Sequence, residues 1–373
     1  MLTKPTINWE HAMKYKTLGR TGLVVSEICL GTMTFGGDGF WTVIGGQDQD
    51  VASGLVRQAF DAGVNFFDTA DVYANGLSEQ MLGHAIREKG LRRDEIVIAT
   101  KAHGRVQDLV PPDASPHAQA EATRRQTARN ISGLSRKHLF DAIDASLKRL
   151  NMDHVDLYQI HGYDPLTSLD EVMDSLNDIV RSGRVRYIGL CNRAAWETAK
   201  ANGIAERKNY ARFESMQMYY TLASRDLERE VVPLAQSEGL AILPWSPLAG
   251  GLLSGKFKRD QAGPNNARRA SFDFPPVNKD RVYDCVEVME PIAAAHGVSV
   301  AQIALAWLLH RPWVTSVIIG AKTDDQLTDN LKAVDVKLTA DDLAALDKVS
   351  ALPSEYPGWM FPVQGRDRAG SVG

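Results

Sequence analysis

LFDAIDASLKRLNMDHVDLYQIH, residues 139–161, changes its period halfway along. In the first half Leu139, Ile143, Leu147 and Leu150 recur three and four residues apart, the spacing of one face of a helix. The second half, VDLYQIH (155–161), is a run of β-formers too short for a buried helix. The chain repeats this step. Runs of the same kind read ICLG (28–31), VNFFDT (64–69), IVIATK (96–101), VRYIGL (185–190), ESMQMY (214–219), LAILPW (240–245) and VTSVIIG (314–320), most of them followed by a helical pattern. Eight such units in one chain, with no break in composition, predict an α/β fold of the (β/α)8 TIM-barrel type, preceded by a β-hairpin around Gly19–Gly22. An open doubly wound sheet also alternates, but its G-x-G-x-x-G fingerprint is missing after the first run, where GTMTFGGDGF (31–40) stands.

Bulk properties narrow the partners. A chain of 373 residues fits two average domains or one closed barrel, and 44% hydrophobic with 24% charged residues describes an ordinary globular protein. The balance of 42 basic against 46 acidic side chains includes no polybasic block, so neither nucleic acid nor an anionic membrane is expected as a partner. Three cysteines, Cys29, Cys191 and Cys285, without CxxC spacing, suggest neither a disulfide framework nor a cysteine zinc site. No apolar leader or 18-residue apolar run is seen, so a cytoplasmic location is expected. MKYKTLGRTGL opens a coherent segment at Met13, which makes residues 1–12 an expected extension, 13–351 a single barrel and 352–373 a tail near the mouth. A monomer or weak homo-oligomer is expected.

Function in such a barrel sits at the carboxyl ends of its strands. Three stretches there break the regular spacing: 104–133, 257–278 and the tail LPSEYPGWMFPVQGRDR from Leu352. All three read as surface loops, although Tyr356, Trp359 and Phe361 favour packing for the tail. The runs themselves end in ionisable residues: Asp68 closes FFD, Tyr73 follows in TADVY, Lys101 closes IVIATK and His161 closes LYQIH. Singly, each has a structural explanation, a helix cap or a satisfied core histidine. Together at one barrel mouth they form a proton-transfer unit: an ammonium beside a phenol lowers its pKa, a carboxylate keeps the ammonium charged, and a histidine hydrogen-bonds a substrate oxygen. This suits a carbonyl that accepts a hydride and becomes an alcohol.

One further motif concerns phosphate. GGLLSGKF (250–257) has the spacing of a nucleotide-triphosphate loop, but Phe257 stands where a magnesium-ligating Ser or Thr is needed. Backbone N–H groups and Lys256 still suit a pyrophosphate. His103 and His117 have no companions at metal-ligand spacing, and no metal is expected.

Over nearly its whole length the chain resembles the aldo-keto reductase superfamily, in FDTADVYANGLSEQMLG (67–83), VIATK (97–101), GLSRKHLFDAIDASLKRL (133–150), DLYQIH (156–161), GRVRYIGLCN (183–192), QMYYTLASRDLEREVVPLAQSEG (217–239), PWSPLAGGLLSGKF (244–257) and GAKTDDQL (320–327). The resemblance implies a catalytic tetrad of Asp68, Tyr73, Lys101 and His161, with Tyr73 as general acid in reduction and base in oxidation. It implies a nicotinamide dinucleotide across the mouth, NADPH rather than NADH. Asn192 and Gln217 would meet the carboxamide, with Cys191 alongside, and Trp245, where many members have Tyr, would stack on the ring. Ser246, Leu248, Gly250 and Lys256 would hold the pyrophosphate. Lys322, Thr323, Gln326 and Asn330 would hold the adenosine portion, a lysine there favouring the 2′-phosphate. Gln326 and Asn330 also read as ordinary solvated helix residues.

Phe35, Phe40, Trp41, Trp359, Met360 and Phe361 lie in loops expected around the mouth, which makes an apolar or aromatic substrate face plausible; they also read as loop packing. Arg259, Arg268 and Arg269 read equally as cofactor clamps or as solubilising loop charges. A rival function is a cofactor-binding regulatory protein, because the resemblance extends to potassium-channel β subunits. Those tend to lack the histidine of DLYQIH, so His161 favours catalysis. The substrate itself is not legible in the sequence.

Overall fold

The computed structural model describes residues 13–37, 39–107, 110, 113–259, 269 and 272–369. The expected extension, 1–12, and Arg268 lie outside them. A hairpin of β1 (Tyr15–Thr17) and β2 (Val24–Ser26) comes first, paired antiparallel with Tyr15 opposite Ser26. Its turn needs glycine at Gly19, where φ is 60° and a Cβ would meet the Glu214 carbonyl at 2.4 Å.

Eight parallel strands follow: β3 (Ile28–Gly31), β4 (Phe66–Asp68), β5 (Val97–Ala102), β6 (Val155–Ile160), β7 (Val185–Cys191), β8 (Phe213–Tyr219), β9 (Ala241–Trp245) and β10 (Val317–Ile319). They pair in chain order from β3 to β9, and β10 pairs with β3. The ring is closed between β9 and the approach to β10, where Ile242 bridges Val314 and the Thr315 N–H donates to the Ile242 carbonyl at 2.9 Å. The expected (β/α)8 barrel and hairpin are therefore present. The last run, VTSVIIG, forms a shorter strand than expected because Val314 and Thr315 are used in that closure.

Helices α1 (Gln49–Asp61), α2 (Leu77–Glu88), α4 (Arg136–Leu150), α5 (Leu169–Arg181), α6 (Ala195–Lys208), α7 (Val231–Glu238), α8 (Lys279–His296), α9 (Val300–Leu309), α10 (Asp324–Leu331) and α11 (Ala340–Val349) accompany the strands. The opening stretch behaves as its periods dictate: Ser135 caps the N-terminus of α4 by accepting from the His138 N–H, and left-handed Asn151 ends it.

The stretch 104–133 contains a helix that its sequence pattern does not announce, α3 (Pro116–Gln126). Ser115 caps it and Pro116 opens it, but Ala122 is its one buried residue, so no apolar period arises. The tail corrects another expectation. Tyr356, Trp359 and Phe361 are 77%, 49% and 63% exposed, Phe361 lying in the first turn of the tail helix α12 (Met360–Ala369). An ion pair of Arg229 with Glu355 at 2.7 Å ties the tail to the loop after β8.

Two cores result. The larger lies between strands and helices and includes Phe67, Ile98, Tyr158 and Ile160. The smaller fills the barrel with Cys29, Phe66, Val97, Ala99, Leu157, Ala241, Leu243 and Ile318, and the hairpin's Leu18 and Val25 plug its lower end. Strand side chains alternate with period two, so the next inward positions above this apolar filling are Asp68, Lys101, Gln159 and Trp245. The barrel changes from apolar to polar at one level, and that level is the floor of the site.

Candidate active site

Tyr73 reaches the mouth through a tight turn. Ala74, Asn75 and Gly76 are all left-handed, with φ of 46°, 54° and 90°, between the tyrosine and α2. Two consecutive non-glycine residues in that region are strained backbone of the kind that clusters at functional sites. The preceding DTAD segment is held by backbone bonds from the Thr69 N–H to the Ala99 carbonyl (2.9 Å) and from the Asp71 N–H to the Lys101 carbonyl (3.1 Å). Buried Ser78 secures it further by donating to the Thr32 carbonyl at 2.7 Å.

The four residues expected to act together do converge. Lys101 is fully buried and its Nζ donates to Asp68 Oδ1 at 2.5 Å, to the Thr69 carbonyl at 2.8 Å and to the Tyr73 hydroxyl at 3.1 Å. The His161 ring stands edge-on to Tyr73, centroids 5.7 Å apart. Among the described residues the His161 side chain makes no hydrogen bond, which leaves it available to a ligand.

Burial decides the protonation states. Desolvation would strip Lys101 of its proton, but Asp68 and Tyr73 outweigh it and hold the ammonium above the ordinary lysine range. For Tyr73 the balance runs against the expectation drawn from the ammonium alone. Desolvation pushes the phenol up to about 12, Lys101 pulls it down and Asp68 pushes it up again. Burial, then the charges of Lys101 and His103, keep His161 well below the usual imidazole value, so it is neutral. Burial likewise pushes the Cys191 thiol up. At neutral pH the site therefore holds a protonated phenol, an ammonium, a carboxylate and a neutral imidazole.

The residues expected at a carboxamide lie beside this relay. The Trp245 indole N–H donates to Asn192 Oδ1 at 2.9 Å, which leaves the Asn192 amide N–H groups outward. Gln217 has the opposite polarity: its Nε2 donates to Asp68 Oδ2 at 2.9 Å, and among the described residues its Oε1 accepts nothing. One donor and one acceptor are what the C=O and NH2 of a carboxamide require, so the pair fits that group. Trp245 is half-buried, with Tyr219 tilted against it at 5.0 Å and Phe274 stacked at 6.0 Å.

The loop after β9 is a chain of left-handed turns: φ is positive at Ser246, Ala249, Gly250, Gly251 and Gly255. Such backbone collects N–H groups into an anion-binding nest. A Cβ on Gly251 would meet nothing within 4 Å, so the loop has open space there, whereas Gly255 has φ of 78° and would bring a Cβ to 3.0 Å from Val300. The Gly250 N–H donates to Ser246 Oγ at 3.1 Å. Lys256 is exposed and among the described residues has no ion-pair partner. Arg269 is buried and donates to the carbonyls of Ala249 (2.9 Å) and Pro275 (2.6 Å), which makes it a staple for this loop. Arg259 is held by Asp280, Asp284 and Glu287 of α8.

At the expected adenosine end, Thr323 caps α10 and Gln326 Oε1 accepts from the Lys322 N–H at 2.9 Å. Asn330 is buried and donates to the Gly320 carbonyl at 3.4 Å. Gln326 and Asn330 thus have structural partners on this turn. Of the expected substrate contacts, Trp41 stands edge-on to Tyr73 at 6.0 Å, while Phe35 is fully buried in the main core and presents no surface to a ligand. Trp359 packs edge-on to Tyr356 at 6.3 Å, Met360 opens the tail helix, and the Phe40 side chain lies outside the described residues.

Gln159 and Gly251 belong to this site although the strand-end reading passed over them. Gln159 precedes His161 by two residues on the same side of its strand, a signal that period two makes available. A cleft of about 370 Å³ opens beside Asn192, lined by Arg193, Met218, Tyr219 and Asp226. A larger one, about 520 Å³, lies at the opposite end of the barrel, where Arg93 pairs with Asp156 at 2.6 Å. Among the described residues no group of three or more His, Cys, Asp or Glu is placed to hold a metal ion, and no single helix is long and apolar enough to cross a membrane.

Known proteins are similar to this chain over most of its length. The model of the aldo/keto reductase family matches residues 27–351. An uncharacterized oxidoreductase, YrpG, of Bacillus subtilis (strain 168) is 38% identical over 341 residues, covering 90% of this chain and 96% of that protein. Versiconal hemiacetal acetate reductase of Aspergillus parasiticus is 34% identical over 349 residues, 93% of this chain and 99% of the relative. A protein of Oryza sativa subsp. japonica, named a probable voltage-gated potassium channel subunit beta, is 36% identical over 353 residues, 92% and 98% of the two chains.

Proposed function

The chain belongs to the aldo/keto reductase family, and on that premise we propose that it reversibly reduces an aldehyde or ketone to an alcohol with NADPH, Tyr73 being the general acid. The observation that carries this reading is the Lys101 ammonium, fully buried, bonded at once to Asp68 and to the Tyr73 hydroxyl. When bound, the nicotinamide supplies the hydride. The chain's own residues do the rest. Neutral His161 donates an N–H to the carbonyl oxygen and orients it. Tyr73 passes its proton to that oxygen as negative charge develops there. Lys101 stabilises the phenolate left behind, and Asp68 keeps Lys101 charged in a setting that would otherwise neutralise it.

Asn192 and Gln217 would meet the carboxamide, with the buried Cys191 thiol alongside and Trp245 against the ring. The turns from Ser246 through Leu248 and Gly250, with Lys256, would meet the pyrophosphate, and Lys322 with the capped start of α10 the adenosine phosphate. Trp41 would face the substrate, and Trp359 and Met360 would approach it from the tail.

The state of Tyr73 sets a pH dependence. An acid must hold its proton and a base must have lost it. With the phenol raised by burial, reduction should be level through neutral pH. Alcohol oxidation should climb about tenfold per pH unit until the phenol titrates. Steady-state rates in both directions across pH 6–10 check this; oxidation falling with pH would rule Tyr73 out as the base.

The two lysines should separate by cofactor. Lys322→Met is expected to weaken NADPH by ~1–3 kcal/mol, the range of a charge-assisted contact, and to leave NADH little changed. Lys256→Ala should weaken both cofactors by a similar factor, because both carry a pyrophosphate. Titration by quenching of tryptophan fluorescence measures all four affinities. Equal wild-type affinity for NADPH and NADH would defeat the assignment of Lys322.

A further inference from the structure

Gln159 is fully buried on β6, between Leu157 of the apolar filling and His161 at the mouth. Its Nε2 donates to Asp68 Oδ2 at 3.1 Å, and its Oε1 faces Gln217 Nε2 at 3.4 Å and the Cys191 thiol at 4.0 Å. The same Gln217 Nε2 donates to Asp68 Oδ2 at 2.9 Å. One amide thus spans from the carboxylate that holds Lys101 to the glutamine beside Trp245 and Asn192. We propose that Gln159 is a positioning residue that couples recognition of the carboxamide by Gln217 to the Asp68–Lys101–Tyr73 relay. This rests on the nicotinamide reading above and extends it to a residue outside the tetrad.

The argument is one of donors and acceptors. A glutamine NH2 has two hydrogens, and that of Gln217 faces two acceptors, Asp68 Oδ2 and Gln159 Oε1. Turned end for end, Gln217 would set its own oxygen against both. Gln159 cannot reverse to relieve this, because its Nε2 is committed to Asp68. Gln217 is therefore fixed with its oxygen free for a carboxamide N–H. Gln159 also acts in the other direction. Asp68 Oδ2 takes two amide donors while Oδ1 takes Lys101, so the amides share the carboxylate's charge. With fewer donors, Asp68 draws Lys101 more strongly and leaves Tyr73 less stabilised as phenolate.

The groups facing Tyr73 are Asp68 from β4, Lys101 from β5, His161 after β6 and Cys191 from β7, with the Trp41 ring alongside. Apart from Asp68, none bonds to Gln159 except Cys191, which stays a neutral thiol. A change at Gln159 thus reaches the phenol mainly through Asp68.

Gln159→Met keeps the volume and removes both ends of the amide. It is expected to weaken NADPH and NADH alike about three- to tenfold, the equivalent of one ordinary hydrogen bond, and to move the alkaline rise of alcohol oxidation to higher pH. Binding of adenosine 2′,5′-bisphosphate, which has no nicotinamide, should be unchanged by fluorescence titration. Gln159→Glu sets a second carboxyl against Asp68 where the amide stood at 3.1 Å; the two share one proton, so a donor to Asp68 and an acceptor for Gln217 both survive, and NADPH affinity and the rise should stay near wild type. The proposal is overturned if the bisphosphate weakens along with NADPH, or if the rise stays at its wild-type position in Gln159→Met. A wild-type protein that binds neither NADPH nor NADH would instead refute the nicotinamide reading itself.

Discussion

Tyr73→Phe is expected to lower the rate of carbonyl reduction ~10²–10⁴-fold while leaving NADPH affinity nearly unchanged, because the general acid is lost and the ring is kept. The ring remains, and with it the edge contacts to Trp41 and His161. Removal of the hydroxyl frees one of the three bonds made by Lys101 and leaves those to Asp68 and Thr69. Rapid-mixing rates with NADPH-loaded protein, together with a cofactor titration, check both halves. Comparable loss of cofactor binding would mean that the phenol is structural.

Lys101→Met is expected to cost ~3–5 kcal/mol of stability, since it leaves Asp68 as a buried carboxylate without its cation. Both side chains are inaccessible, at 0% and 3% exposure, so solvent screening does not rescue the pair. Against a typical stability of ~5–15 kcal/mol this is a large fraction. Asp68→Asn in the same chain should recover most of it, because a neutral amide among Gln159 and Gln217 has no charge to desolvate. Urea unfolding of the single and double variants measures the difference. A cost under ~1 kcal/mol for Lys101→Met would put the pair in the class of exposed ion pairs.

Much of this architecture is legible in the chain because a barrel strand advertises itself. Its outward residues, such as Ile98 and Tyr158, pack under helices, and its inward ones, such as Ala99 and Leu157, fill the ring, so each run is continuously apolar. The same alternation puts Asp68 and Lys101 one step above the apolar filling. What was hidden depends on surroundings that a linear pattern does not carry. The helix at Pro116–Gln126 buries Ala122 alone, so only its Ser-Pro start signals it. Tyr356, Trp359 and Phe361 are aromatic yet exposed, and Phe35 is packed without being at the mouth. Asn330 and Gln326 have the composition of ligand contacts, yet each bonds to the turn that begins at Gly320. The phenol of Tyr73 has the ammonium the motif promises, and burial nonetheless raises it to about 12.

The central claim is that Tyr73 hands a proton to a carbonyl oxygen as the nicotinamide hydride arrives. Single-turnover mixing of NADPH-loaded protein with an electron-poor aromatic aldehyde tests it most directly. The wild-type protein should lose one equivalent of reduced-nicotinamide absorbance and form one equivalent of alcohol, with the rate slowed ~10²–10⁴-fold in Tyr73→Phe. Tight binding of NADPH by both proteins, with the cofactor oxidised by the aldehyde at the same rate in each, would contradict the claim and take the role of proton donor away from Tyr73.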